Sequence, residues 1–195
     1  ANFGDLDNDG FDDIYLGTGA PEFESLVPNI MYRNDNGKQF ENVTVSGGFG
    51  HLKKGHAIAF ADLDNDGAQD IYAVLGGAFP GDSFANALFV NPGFGNHWLK
   101  VQLEGKTSNR LGIGARIRVD IEEAGRTRSI FKLVGSGGSF GANPLRKEIG
   151  LGKATSIKSL EIYWPTSDLT QRFLNVPVDT TLLIVEGKDT FHIVD

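Results

Sequence analysis

The strongest constraint on this chain is a stretch that occurs twice. Asp5-Leu6-Asp7-Asn8-Asp9-Gly10-Phe11-Asp12-Asp13-Ile14-Tyr15 returns 57 residues later as Asp62-Leu63-Asp64-Asn65-Asp66-Gly67-Ala68-Gln69-Asp70-Ile71-Tyr72. Both copies read D-x-D-x-D-G-x-x-D-I-Y. Alternate residues of a tight loop aim their side chains at one point, and calcium takes six to eight hard oxygen ligands. The pattern therefore assigns Asp5, Asp7, Asp9 and Asp13, with the carbonyl of Phe11, as one calcium site. Asp62, Asp64, Asp66 and Asp70, with the carbonyl of Ala68, form the second. Gly10 and Gly67 stand where the backbone must turn sharply with positive φ. A plain Asn-Asp-Gly hairpin turn explains one Asp per loop, but not four in register, twice. An EF-hand would need a bidentate Glu at loop position twelve and helices on both sides. That position holds Leu16 in one copy and Ala73 in the other, and the flanks read as strands, so each loop is expected inside a β-hairpin.

The repeat extends beyond the loop. Asn29-Ile30-Met31-Tyr32-Arg33-Asn34 aligns with Asn86-Ala87-Leu88-Phe89-Val90-Asn91, and Phe3 with Phe60, all at the same spacing of 57. After the Asn36-Gly37 turn, residues Lys38 to Thr44 alternate like a strand. A fixed period of this length, built from short strands and glycine turns, is the signature of a β-propeller blade.

Charge divides the chain. Residues 1 to 95 carry 4 basic and 14 acidic side chains, net −10, and residues 96 to 195 carry 14 and 11, net +3. The break marks a domain boundary near residue 95. Neither half has the clustered Lys and Arg that nucleic-acid binding requires, and no apolar run is long enough to span a membrane. Cysteine is absent, which excludes disulfides and thiolate chemistry. Weak calcium loops suit the millimolar calcium found outside the cytosol, so an extracellular or cell-surface location is expected, with any leader absent from this sequence.

Beyond Asn91-Pro92-Gly93, short strands are expected at His97 to Leu103, Ile113 to Ile121, Thr127 to Val134, Ile157 to Trp164, Phe173 to Val176, Thr181 to Val185 and Phe191 to Val194. With no helical period among them, this half reads as a β-sandwich or barrel.

Two resemblances follow from these residues. The twin Asp loops and the Asn-x-Met/Leu-Tyr/Phe strand make residues 1 to 95 similar to tandem FG-GAP/VCBS repeats, the calcium-loop blades of integrin α-chain propellers and of many bacterial surface proteins. Closed propellers have four to eight blades, so two repeats cannot close a ring. The resemblance therefore implies further N-terminal blades, or two repeats packed directly on the second domain. Asn96-His97-Trp98-Leu99, the run Gly105 to Arg110 with Ile113-Gly114-Ala115-Arg116-Ile117, Gly135 to Phe140, Gly150-Leu151-Gly152 and Ile162-Tyr163-Trp164-Pro165 occur in the order of the ASPIC/UnbV domain. That pattern covers residues 96 to 187, as in the cartilage acidic protein family, and leaves 188 to 195 as a C-terminal extension. The Gly-Ser-Gly-Gly-Ser-Phe-Gly segment departs from the family's usual Gly-Tyr.

Other constellations are weaker. The glycines at 112, 114 and 135 to 141 lack the following Lys-Ser/Thr of a nucleotide loop. Ser108-Asn109-Arg110 with Arg116 is a candidate carboxylate-binding site, or else a hairpin turn with a structural salt bridge. His51, His56, His97 and His192 lack metal-ligand spacing, and nothing singles out Glu122, Glu123 or Glu161 for glycoside hydrolysis. Trp98 and Trp164 read as core residues rather than sugar platforms. Asn42-Val43-Thr44 is a glycosylation sequon.

These readings converge on an all-β, calcium-stabilised interaction, adhesion or scaffold protein with no catalytic constellation. Its expected partner is a protein or surface glycan, with self-association a further option. A self-assembling coat or filament subunit and an accessory protein or enzyme of a biosynthetic pathway are the alternatives.

Overall fold

The computed structural model describes residues 1–194 apart from Pro21, Phe23, Ser25, Ala78 and Ser136; the second residue of the Gly135 to Gly141 run and the last residue of the C-terminal extension, Asp195, thus lie outside the described residues. Every regular element among them is a strand, as the two-residue alternation of apolar side chains requires. No described helix is long and apolar enough to cross a membrane. The chain divides into two compact units: Ala1–Leu6, Phe11–Pro92 and Gly137–Asn143 form one, and Asp7–Gly10, Gly93–Ser136 and Pro144–Asp195 the other.

The first unit holds two antiparallel meanders. β1 (Asn2–Gly4), β2 (Asp13–Leu16), β3 (Ile30–Asp35) and β4 (Gln39–Asn42) form a four-stranded sheet in that order. β5 (Gly55–Ala61), β6 (Asp70–Leu75) and β7 (Ala87–Phe89) form a three-stranded one. The repeat is visible in the register. Phe3 pairs with Ile14 and Ile14 with Tyr32, and 57 residues on Phe60 pairs with Ile71 and Ile71 with Phe89. One apolar cluster joins the sheets, with Tyr15 and Met31 from the first against Ile58, Phe60, Ile71, Ala73 and Leu75 from the second. β4 is shorter than the expected Lys38 to Thr44 and exposed throughout, as an edge strand is. The segment Gly137–Asn143 belongs to this unit through Asn143. Its side-chain oxygen accepts from Phe60 N (2.9 Å) and Asn2 Nδ2 (2.6 Å), and its Nδ2 donates to Phe3 O (2.7 Å).

The second unit contains two four-stranded sheets. β8 (His97–Glu104), β9 (Arg116–Glu123), β10 (Arg126–Leu133), β11 (Lys147–Gly152), β12 (Ile157–Trp164), β13 (Leu169–Phe173), β14 (Thr180–Val185) and β15 (Phe191–Val194) follow in sequence. They assemble as β10-β9-β12-β13 and β11-β8-β14-β15, with β8 and β14 paired in parallel. Both sheets line a single core that includes Leu99, Val101, Ile117, Val119, Ile149, Leu160, Ile162, Trp164, Leu182 and Ile184, the arrangement of a sandwich.

Four expectations are corrected. β9 begins at Arg116 and not Ile113, because Gly112 and Gly114 hold positive φ and the Asn109 amide brackets Ile113, donating to its carbonyl and accepting from its N–H. The strand sought at Phe173 to Val176 ends at Phe173, since Asn175 turns with φ 55°. β11 was not expected: two glycines and a bulge between Gly150 and Gly152 hide its pattern. Trp164 is fully buried and donates Nε1–H to Gln171 Oε1 (2.6 Å), but Trp98 is only half-buried. It lies on the opposite face of β8 from Leu99 and Val101, with Lys100 Nζ 4.6 Å from its ring centroid.

Candidate metal centres

Each Asp-rich segment closes a hairpin. Gly4 pairs with Asp13 at the neck of the first and Ala61 with Asp70 at the neck of the second. Two positive-φ residues bend each loop in the same places: Asn8 (56°) and Gly10 (91°), then Asn65 (63°) and Gly67 (96°). Asn tolerates the left-handed region better than most side chains, and the larger angle falls on glycine, which has no Cβ to clash.

The loops also repeat their hydrogen bonds. Asp13 Oδ2 accepts from Leu6 N (2.9 Å) and Oδ1 from Asn34 N (2.8 Å). Asp70 Oδ2 accepts from Leu63 N (3.2 Å) and Oδ1 from Asn91 N (2.8 Å). The N–H of Asp9 donates to Asp7 Oδ1 at 3.3 Å, as that of Asp66 does to Asp64 Oδ1. Backbone amides thus aim the carboxylates before any ion is considered.

What results is a triad in each loop. Ligand atoms of Asp5, Asp7 and Asp9 lie within 4.8 Å of one another, as do those of Asp62, Asp64 and Asp66. At that separation two carboxylates repel by about 3.5 kcal/mol for an effective dielectric near 20. Three anionic oxygen donors per loop, with no nitrogen or sulfur among them, are the kind of ligand that hard cations such as calcium and magnesium take. Asp13 and Asp70 stand beside the triads, outside these groups. A carboxylate offers about four acceptor sites, so two amide bonds and a place at the ion are compatible.

The triads differ in burial. Asp5 and Asp7 are buried and Asp9 half-buried, whereas in the second loop only Asp62 is buried and Asp64 and Asp66 are exposed. The tip Asp7–Gly10 is counted with the second unit. There its carbonyls accept from Asn96 Nδ2 to Asp7 (2.7 Å), Gly152 N to Asn8 (2.8 Å) and Arg128 Nη2 to Asp9 (2.6 Å).

Some braces were not legible in the residue types. Gln69 Oε1 accepts from Asp5 N (3.0 Å), and Asn91 Nδ2 donates to Leu6 O (2.7 Å) and to Gln69 O (3.0 Å), so the second repeat holds the start of the first loop. The matching of Asn34 and Asn91 at the repeat spacing was the available signal.

The other candidate resolves differently. Among the described residues Arg110 and Arg116 form no carboxylate fork: Arg110 is exposed and Arg116 lies 5.8 Å from the Tyr163 ring centroid. The carboxylate at Ser108 comes from Glu186, whose Oε2 accepts from the successive amides of Lys106 (2.6 Å), Thr107 (2.8 Å) and Ser108 (2.8 Å). Its Oε1 accepts from Ser108 Oγ (2.8 Å) and Ser167 Oγ (2.5 Å). This is an anion nest filled by the protein's own side chain. Glu122 pairs with Lys158 (2.8 Å) and Glu123 with Arg128 (3.1 Å). His97 Nδ1 lies 2.6 Å from Asp179 Oδ2.

Against known families, residues 5–73 match the FG-GAP-like repeat, spanning both Asp loops, and residues 105–191 match the family described as ASPIC and UnbV. No curated protein matches the chain.

Proposed function

We propose that this chain, FG-GAP-like repeats joined to an ASPIC and UnbV domain, is a calcium-braced binding module that works at the cell surface or outside the cell and engages a protein or glycan partner without catalysing a reaction. The observation that carries the reading is the recurrence, at a spacing of 57, of the same three-carboxylate cluster in the same hairpin geometry. Asp5, Asp7, Asp9 and Asp13 with the Phe11 carbonyl would hold one ion, and Asp62, Asp64, Asp66 and Asp70 with the Ala68 carbonyl the other. Calcium supplies positive charge that relieves the repulsion within each triad and ties both strands of a hairpin to one point. The repeat and domain types support an interaction role, and millimolar calcium outside the cell suits loops of this kind.

Calorimetry tests the reading directly. Calcium titrated into metal-free protein is expected to bind with a stoichiometry of two, falling to one for Asp7→Ala or Asp64→Ala and to none for the double variant. An ion that binds only the folded state stabilises by about 2.7 kcal/mol per site at a hundredfold excess over Kd, so chelator should lower the melting temperature of the wild type and leave the double variant unmoved. A wild-type melt indifferent to chelator overturns the assignment, and the extracellular inference with it.

A further inference from the structure

The tip of the β9–β10 hairpin and the turn between β11 and β12 enclose an open cavity of about 870 Å³ that lies wholly within the second unit. That is the size of a small-ligand site, but such sites are mostly apolar and this one is not. Among the described residues no aromatic side chain lines it, and its aliphatic lining is Ala124 alone.

The two walls are pinned to each other. Ala124 (φ 50°) and Gly125 (φ 72°) make the tight turn that sets Glu123 opposite Arg126. Glu123 then spans the gap, its Oε2 accepting from Arg128 Nε (3.1 Å) and its Oε1 from Lys153 N (2.7 Å). Its approach to the β11–β12 turn is so close that a Cβ on Gly152 would collide with Glu123 Oε1. The cavity is therefore shaped without a ligand.

Its charges are unevenly matched. Glu122 is taken by Lys158 (2.8 Å), which also donates to Thr127 Oγ1 (2.8 Å), and Glu123 is taken by Arg128. Two lining cations remain. Lys153 Nζ donates to the carbonyl of Gly95 (2.9 Å), a neutral group that leaves its charge unbalanced and two of its three protons for a ligand. Arg126 is exposed, and among the described residues no carboxylate pairs with it. Thr155 and Ser156, both exposed, add hydroxyls from the β11–β12 turn.

Two unmatched cations beside hydroxyls, with nothing apolar to stack on, select a ligand that carries a carboxylate and is otherwise covered in hydroxyls. We infer that this cavity binds an acidic sugar, a uronic acid residue of a glycan. Arg126 and Lys153 hold its carboxylate through charge-assisted hydrogen bonds, and Thr155 and Ser156 meet its ring hydroxyls. An acidic peptide brings the same carboxylate, but with aliphatic surface that this lining has nothing to cover. The inference rests on the binding-module reading in taking a glycan as the partner, and it uses no residue of the Asp loops.

Calorimetry tests it with a trisaccharide ending in one glucuronic acid residue, against the glucose-ended trisaccharide that carries CH2OH in place of the carboxylate. Titrations in calcium and in chelator keep a failed calcium assignment and a failed sugar site apart. The acidic trisaccharide is expected to bind wild type at one site, at least tenfold tighter than the neutral one, and to weaken as salt is added. Arg126→Ala and, independently, Lys153→Ala should each weaken it by tenfold or more, the loss expected for a hydrogen bond to a charged group. Arg172→Ala removes the same charge from β13, at the opposite edge of the sheet from β10, and should leave binding unchanged. Circular dichroism checks that each variant is folded. Absence of binding by wild type in both buffers overturns the inference whatever calcium does. A peptide of four glutamates that binds as tightly as the sugar overturns it in favour of an acidic protein partner. Equal losses in Arg172→Ala and Arg126→Ala overturn it in favour of general surface charge.

Discussion

Glu186 shows how much a single side chain can organise. Three consecutive amides and two hydroxyls converge on its carboxylate. Burial pushes its pKa up, but the hydrogen bonds from Ser167, Ser108 and Lys106 outweigh burial and hold it at about 2. A carboxyl whose folded pKa lies below its unfolded value contributes stability that is complete above the unfolded pKa and disappears as pH falls through the folded one. For Glu186 that window runs from the ordinary 4.5 down to about 2. Asp120 adds in the same sense: burial raises its pKa, yet bonds from Ser129, Ser159 and Arg118 bring it below the usual value. Both tryptophans, Trp98 and Trp164, lie in the second unit, so their fluorescence reports on it alone. Glu186→Gln is expected to destabilise that unit by about 1.5–3 kcal/mol at pH 7, the range for a hydrogen-bonded charged group, and to flatten its loss of stability between pH 4.5 and 2. A fluorescence-monitored denaturation at several pH values measures both; an unchanged acid slope would refute the assignment. The sequence pointed at Ser108 and at a carboxylate, but named arginines as the donors. Backbone amides carry no residue signature, and the carboxylate lies 78 positions away.

At the level of the element, legibility followed periodicity. Strands with clean alternation, such as Ile157–Trp164 and Thr180–Val185, stand where the residues put them or within one position of it. Those interrupted by turn chemistry do not. Lys147–Gly152 was invisible because its two glycines weaken a strand pattern, and the bulge that accommodates them depends on pairing with β8. The hairpin loops were the most legible elements, since their Asp, Asn and Gly residues mark locally where the backbone turns with positive φ. That makes them testable one dihedral at a time. Gly67 sits at φ 96°, beyond the angles that an L residue in the left-handed region normally takes. Gly67→Ala is expected to cost about 1–3 kcal/mol of stability, whereas Asn65→Gly, at φ 63°, should change it by only a few tenths. Chemical denaturation of both variants in calcium distinguishes them. Equal effects would mean that the loop re-forms around the alanine and that the glycine is not conformationally required.

For the whole molecule, charge is the property that the sequence states most fully and the fold redistributes least. The segments Asp7–Gly10 and Gly137–Asn143, each counted with the unit opposite in sequence, were not legible, because contacts between distant residues leave no trace in composition. The total charge needs no such contacts. It is −7 at pH 7, and two bound calcium ions would bring it to −3 by adding four positive charges. Electrophoretic mobility scales with net charge, so saturating calcium should reduce the anodic mobility at pH 7 to somewhat under half its value in chelator. Ionic strength must be matched in the two buffers, since salt screens charge over about 10 Å at 0.1 M and would lower mobility without any binding. Asp7→Ala with Asp64→Ala separates the two effects. That variant starts at −5 and, with both loops broken, should migrate alike with and without calcium. Equal calcium shifts in wild type and variant would place the ions on the general acidic surface and remove the loops from the account. A shift confined to the wild type would tie the charge change to the six carboxylates of the two clusters.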